Sequence, residues 1–162
     1  MKPVLGVLAL ALLLGGGCAS TPVNLAPRPK IAAFALTKDV VWRRVTAFMI
    51  AEGLPMRSIK PGAGLIYAEN ALAATTISDQ QKQTFQAFAR CGRRTAPAGG
   101  YITGVLVYVQ PAKGGVMVTV TTGFYEVSKV GLGGQFATAD ITAHCGTTGQ
   151  LESELMSAIG GS

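Results

Sequence analysis

The chain has 162 residues, of which 49% are hydrophobic and 14% charged, a length that supports one domain with its own core and excludes a large modular enzyme. So little charge among so many apolar residues excludes ordinary disorder for most of the chain. Fourteen Lys and Arg against eight Asp and Glu give a formal net charge of +6; this mild basic excess, without a basic run interleaved with aromatics, does not describe a nucleic-acid binder.

Met1-Lys2 is a short basic start, and residues 4–14 form an uncharged apolar run. A helix of that length rises about 16 Å, roughly half the hydrocarbon thickness of a bilayer, so the run reads as a signal-peptide core and not as a span. The residues that follow, Gly15-Gly16-Gly17-Cys18, resemble the lipobox of bacterial lipoproteins, in which a small residue precedes a cysteine that is acylated and becomes the new N-terminus. Gly15 stands where that family usually has Leu, with Leu14 one step further out. The resemblance implies removal of residues 1–17 and a membrane anchor on Cys18, whose two or three acyl chains hold durably where one binds reversibly. Ala19-Ser20 lack the aspartate that retains such lipoproteins at the inner membrane, which implies the periplasmic side of the outer membrane. An ordinary secreted protein with an incidental Cys18 is the alternative.

Residues 18–30 contain Pro22, Pro27 and Pro29 and read as an extended tether, followed by a single domain over 31–159 and a tail over 160–162. Residues 31–36 have strand tendency, and Thr37-Lys38-Asp39 starts a helix over 40–52 that Gly53 stops. Val41, Val45, Phe48 and Met49 recur at helical spacing. Trp42 beside them reads as a core residue, with ligand stacking as the alternative. Residues 54–60 and 65–69 form a hairpin across Pro61-Gly62-Ala63-Gly64, while 70–76 show no preference. Ser78 and Gln81 make a capping box for a helix carrying Phe85, Phe88 and Ala89 towards Cys91, with Gly92 as its stop and a loop over 93–100.

Residues 101–110 and 116–127 are valine- and threonine-rich strands that should pair antiparallel across 111–115. Val116, Val118 and Val120 alternate with Met117, Thr119 and Thr121, which suits a sheet covered on one side and wet on the other. A glycine-rich loop over 130–135, a last strand over 136–143 and a helix over 150–159 follow. That helix carries Leu151, Leu155 and Ile159 on one face and places Glu152 and Glu154 near its positive end. The fold class is therefore α+β: an antiparallel sheet packed on one side by an amphipathic helix, with a C-terminal helix and one disulfide.

The disulfide follows from cysteine arithmetic: lipidation of Cys18 leaves Cys91 and Cys145, an even number in an oxidising space. Two free thiols are the other reading. Beyond these cysteines only His144 and scattered carboxylates are available, with no ligand spacing, so no metal or other cofactor is expected. Gly131-Leu132-Gly133-Gly134 is no dinucleotide fingerprint, because Phe136 stands at the third glycine position. His144 and Cys145 are neighbours on an expected strand, so they point to opposite faces and make no nucleophile and base pair. Arg90, Arg93 and Arg94 are the densest basic group, with Arg43-Arg44 next; each reads as a solvated face or an anion site.

Residues 34–70, with Val41-Trp42 on the helix, Glu52-Gly53 at its end, and Ile59 and Gly64-Leu65-Ile66 in the hairpin, resemble domains of the BamC-type lipoproteins of the outer-membrane β-barrel assembly machinery. The matching positions are core and turn residues, so the resemblance implies a fold and carries no binding site. The expectation is a non-catalytic outer-membrane lipoprotein that binds an envelope protein through its sheet face or loops. The alternatives are a module for lipopolysaccharide or peptidoglycan fragments at the arginine cluster, and a hydrolase if folding brings two acids into one cleft.

Overall fold

The computed structural model describes residues 29–92, 99–127 and 141–161. The leader, Cys18 and most of the tether lie outside this range, as do Arg93, Arg94 and the glycine-rich loop at 130–135. Among the described residues the chain alternates strands and helices as β1 (Lys30–Phe34), α1 (Lys38–Ala51), β2 (Met56–Lys60), β3 (Leu65–Ala73), α2 (Asp79–Phe88), β4 (Ala89–Arg90), β5 (Gly100–Ala112), β6 (Gly115–Val127), β7 (Ile141–Thr147) and α3 (Gln150–Gly160). The α+β class is as the residue patterns predict.

Local signals place the helices. The Thr37 hydroxyl accepts from the Val40 N–H at the start of α1, and at its end the N–H groups of Gly53 and Leu54 bond the carbonyls of Ile50 and Met49. Ser78 and Gln81 form the reciprocal capping box at α2, satisfying donors that a helix N-terminus leaves free. That helix ends earlier than its sequence suggests. Ala89 and Arg90 leave it to pair with Thr147 and Gly146, because a strand partner outweighs the modest helix propensity of two residues.

Among the described residues seven antiparallel strands run in the order β2-β3-β5-β6-β7-β4, with β1 also on β6. One edge of β6 is shared: Val116 to Val120 pair with β1 and Phe124 to Val127 with β7. The last strand runs on through His144 and Cys145 to Thr147, beyond the expected end at Ala143. A Cβ at Gly64 would lie 2.1 Å from the Val109 carbonyl oxygen, and Gly64 has φ +69°, so only glycine lets the hairpin return this close to β5.

The core lies between the helices and one face of the sheet. Val41, Val45 and Met49 of α1 and Leu151, Leu155 and Ile159 of α3 are buried with Ile66, Val105, Val107, Val118, Val120 and Phe124 of the strands. Each such side chain contributes about 1.5–3 kcal/mol on leaving water. Trp42 is half-buried and packs against this cluster, as a helix-edge core residue should. Arg44 is no solvated arginine: its guanidinium donates to the Ile159 carbonyl, at the negative end of α3 where a cation is favoured.

Candidate functional site

With the helices on one face, the alternation of β5 and β6 sends every second residue to the other. That open face carries Ile31, Leu106, Tyr108 and Met117, which remain 58%, 38%, 38% and 37% exposed. They lie on three neighbouring strands, with Thr119 between Ile31 and Tyr108 in register and Met117 opposite Ala33 and Gln110.

Next to this apolar area the face becomes polar and aromatic. Gly104 and Gly123 are direct cross-strand partners and leave a dip with no side chains. Two tyrosines fill it. A Cβ at Gly123 would lie 2.6 Å from Tyr125 Oη, so this glycine leaves room for the Tyr125 ring to lean back along β6, whereas a Cβ at Gly104 would meet Tyr67 Oη at an ordinary 3.5 Å. The Tyr67 hydroxyl donates to the Glu69 carboxylate. Burial above all, then that hydrogen bond and the charge of Glu69, then Tyr125, hold the Tyr67 phenol well above the usual tyrosine range, with Arg57 opposing. Tyr67 therefore stays a neutral donor. His144 meets Tyr125 edge-on at 5.0 Å between ring centres. Strand propensity explains each tyrosine, but the pairing of Gly104 with Gly123 beside them was not visible in the sequence.

The expected sulfur pair is formed: Cys91 and Cys145 are disulfide-bonded. Cys145 is buried on the core side of β7 and His144 is exposed on the other, so adjacency does not unite them. Arg90 is exposed on β4. Of the scattered acids, Glu126 and Glu152 are buried. Glu152 takes a hydrogen bond from Thr122, four residues from Glu126 along β6 and so about 13 Å away. These two acids do not share a cleft.

A cleft of about 320 Å³ does open between the end of α1, α2 and the sheet, lined by Glu52, Asn70, Leu72, Thr84, Phe85 and Phe88 among others. Glu52 is the one acid among its described lining residues. Burial, and secondarily the charge of Glu154, raise the Glu52 carboxyl above its ordinary value of 4.5. A raised carboxyl favours the folded state at low pH, and that contribution is lost as pH rises through the folded value. Glu52→Gln should therefore unfold at higher urea than the parent at neutral pH, with the difference vanishing below pH 4.5. An equal or larger difference in acid would contradict this account of Glu52.

No family model matches the chain, and a search of curated proteins finds no match. No described helix is long and apolar enough to cross a membrane.

Proposed function

We propose that this chain is a lipid-anchored, non-catalytic protein of the periplasmic side of the outer membrane, which binds an envelope protein through the open face of its sheet. The lipobox resemblance at Cys18 supports the anchor, and a disulfide suits an oxidising space. The observation that carries the binding role is the exposure of Ile31, Leu106, Tyr108 and Met117 on neighbouring strands of the open face, because exposed apolar surface gathered on one face marks interaction sites. It sits on strands and not on loops, so its shape is fixed before a partner arrives.

The test places a photo-crosslinking residue at Met117 in cells. One reproducible protein adduct should form and should fall at least tenfold when Leu106→Glu and Tyr108→Glu are combined, since two buried carboxylates cost far more than the 1.4 kcal/mol that a factor of ten requires. Mass spectrometry of the native protein should find Cys18 acylated. Absence of any adduct would overturn the binding role, and an unmodified Cys18 would overturn the anchor.

A further inference from the structure

The sulfur pair has a third companion that no sequence spacing announces. Glu126 on β6 lies diagonally across from Cys145 on β7, on the same face of the sheet, since Phe124 pairs with Cys145 and Glu126 with Ala143. The two Sγ atoms and a Glu126 carboxylate oxygen all lie within 4.8 Å of one another. Cys145 is 5% exposed and Glu126 2%, while Cys91 is only partly buried. While the disulfide is closed its sulfurs are poor ligands. Once it is open, two thiols and a carboxyl face each other in a place mostly shielded from water.

We propose that the reduced Cys91 and Cys145, with Glu126, form a binding site for a thiophilic divalent cation of the zinc class, and that the disulfide is the closed form of this site. Tetrahedral zinc holds thiolate sulfurs at about 2.3 Å and carboxylate oxygens at about 2.0–2.2 Å, which puts sulfurs about 3.8 Å apart. Three anionic donors in a buried position repel one another, and a divalent cation offsets most of that charge. Thiolates select zinc over magnesium or calcium. The fourth position falls to water on the Cys91 side, because His144 lies on the opposite face of the sheet. A dithiol reductant opens the disulfide by thiol–disulfide exchange: it supplies the two electrons and two protons that give the Cys91 and Cys145 thiols, is itself oxidised to a disulfide, and binding of the cation then releases the thiol protons.

The experiment uses the full chain in detergent, carrying Cys18→Ser so that a third thiol adds nothing. A phosphine reduces the disulfide under argon, taking oxygen from water to become the phosphine oxide. Zinc is then titrated against a chromophoric chelator while circular dichroism follows the fold. The reduced chain should bind one zinc and the oxidised chain none, and Glu126→Gln should weaken binding at least tenfold. Cobalt in place of zinc should show a thiolate charge-transfer band that Cys145→Ala removes, a readout that does not depend on the Glu126 variant folding. A folded, reduced chain that takes up no zinc at micromolar concentration would overturn the site, and so would a missing cobalt band. Undiminished binding by a folded Glu126→Gln would overturn the ligand set. Should reduction unfold the chain, zinc must restore the fold, and failure to do so is equally a refutation.

Discussion

Replacing Cys91 and Cys145 together by alanine will lower the unfolding free energy by about 4 kcal/mol, a loss of the same order as the whole stability of many domains. The two cysteines are 54 residues apart in sequence, so the bond removes a long closed loop from the unfolded ensemble. The native side of the balance is local. Cys91 follows a strand of two residues whose pairing with Thr147 and Gly146 is brief, reinforced by the Thr148 N–H on the Phe88 carbonyl at 2.9 Å and by the Thr148 hydroxyl on the Ala87 carbonyl at 2.7 Å. Without the bond, those few contacts, the packing of Phe85 on Tyr101 and Phe124 and that of Phe88 against the core are left to hold α2 to the sheet. Amide exchange should therefore accelerate more in α2 than in β5 and β6, as a region held by few contacts opens first. Urea unfolding of the variant beside the oxidised parent measures the global term. A difference below about 1 kcal/mol would mean that the unfolded chain is already confined around this loop.

Sequence signals located the elements well where the cause is local. Thr37 and the pair Ser78 and Gln81 mark helix starts because their side chains bond backbone within three residues, and the alternation of Val116, Val118 and Val120 marks a face because strand geometry has period two. The end of α2 was not legible. Ala89 and Arg90 are sound helix residues, and what pulls them out is a partner strand and a sulfur more than fifty residues away. The same holds for Arg44, whose acceptor is the far end of another helix. In the open face, Tyr67 and Tyr125 read as ordinary strand residues. That both lie beside the paired Gly104 and Gly123 follows from the register of β3, β5 and β6, a fact about pairing and not about either strand. Glu126 and Glu152 are two of eight acids in the sequence, and only the register and the packing of α3 show that both are buried.

Glu152→Ala should destabilise the fold by about 3 kcal/mol, more than loss of an exposed acid would cost. Glu152 is 2% exposed in the first turn of α3, a helix whose N-cap Gly149 offers no side-chain bond. Its carboxylate accepts from the Thr122 hydroxyl and from the Thr147 hydroxyl at 2.8 Å, and Thr147 Oγ1 in turn accepts the Gly149 N–H at 2.9 Å. The acid thus joins the sheet to the start of the helix, where the dipole also favours negative charge. Removing it leaves the Thr122 hydroxyl, itself 3% exposed, without its acceptor, and an unsatisfied buried donor carries most of the cost. Glu152→Gln keeps one carbonyl oxygen for a hydroxyl and should lose only about 1–2 kcal/mol. The decisive comparison adds Thr122→Val to Glu152→Ala. If the penalty lies in the stranded hydroxyl, taking that hydroxyl away returns stability, and the double variant falls short of the sum of the singles by about 1–2 kcal/mol. Strict additivity in urea unfolding would show instead that the carboxylate acts on the helix alone, through the dipole and the Thr147 bond, and that its contact with β6 contributes nothing to holding α3 against the sheet.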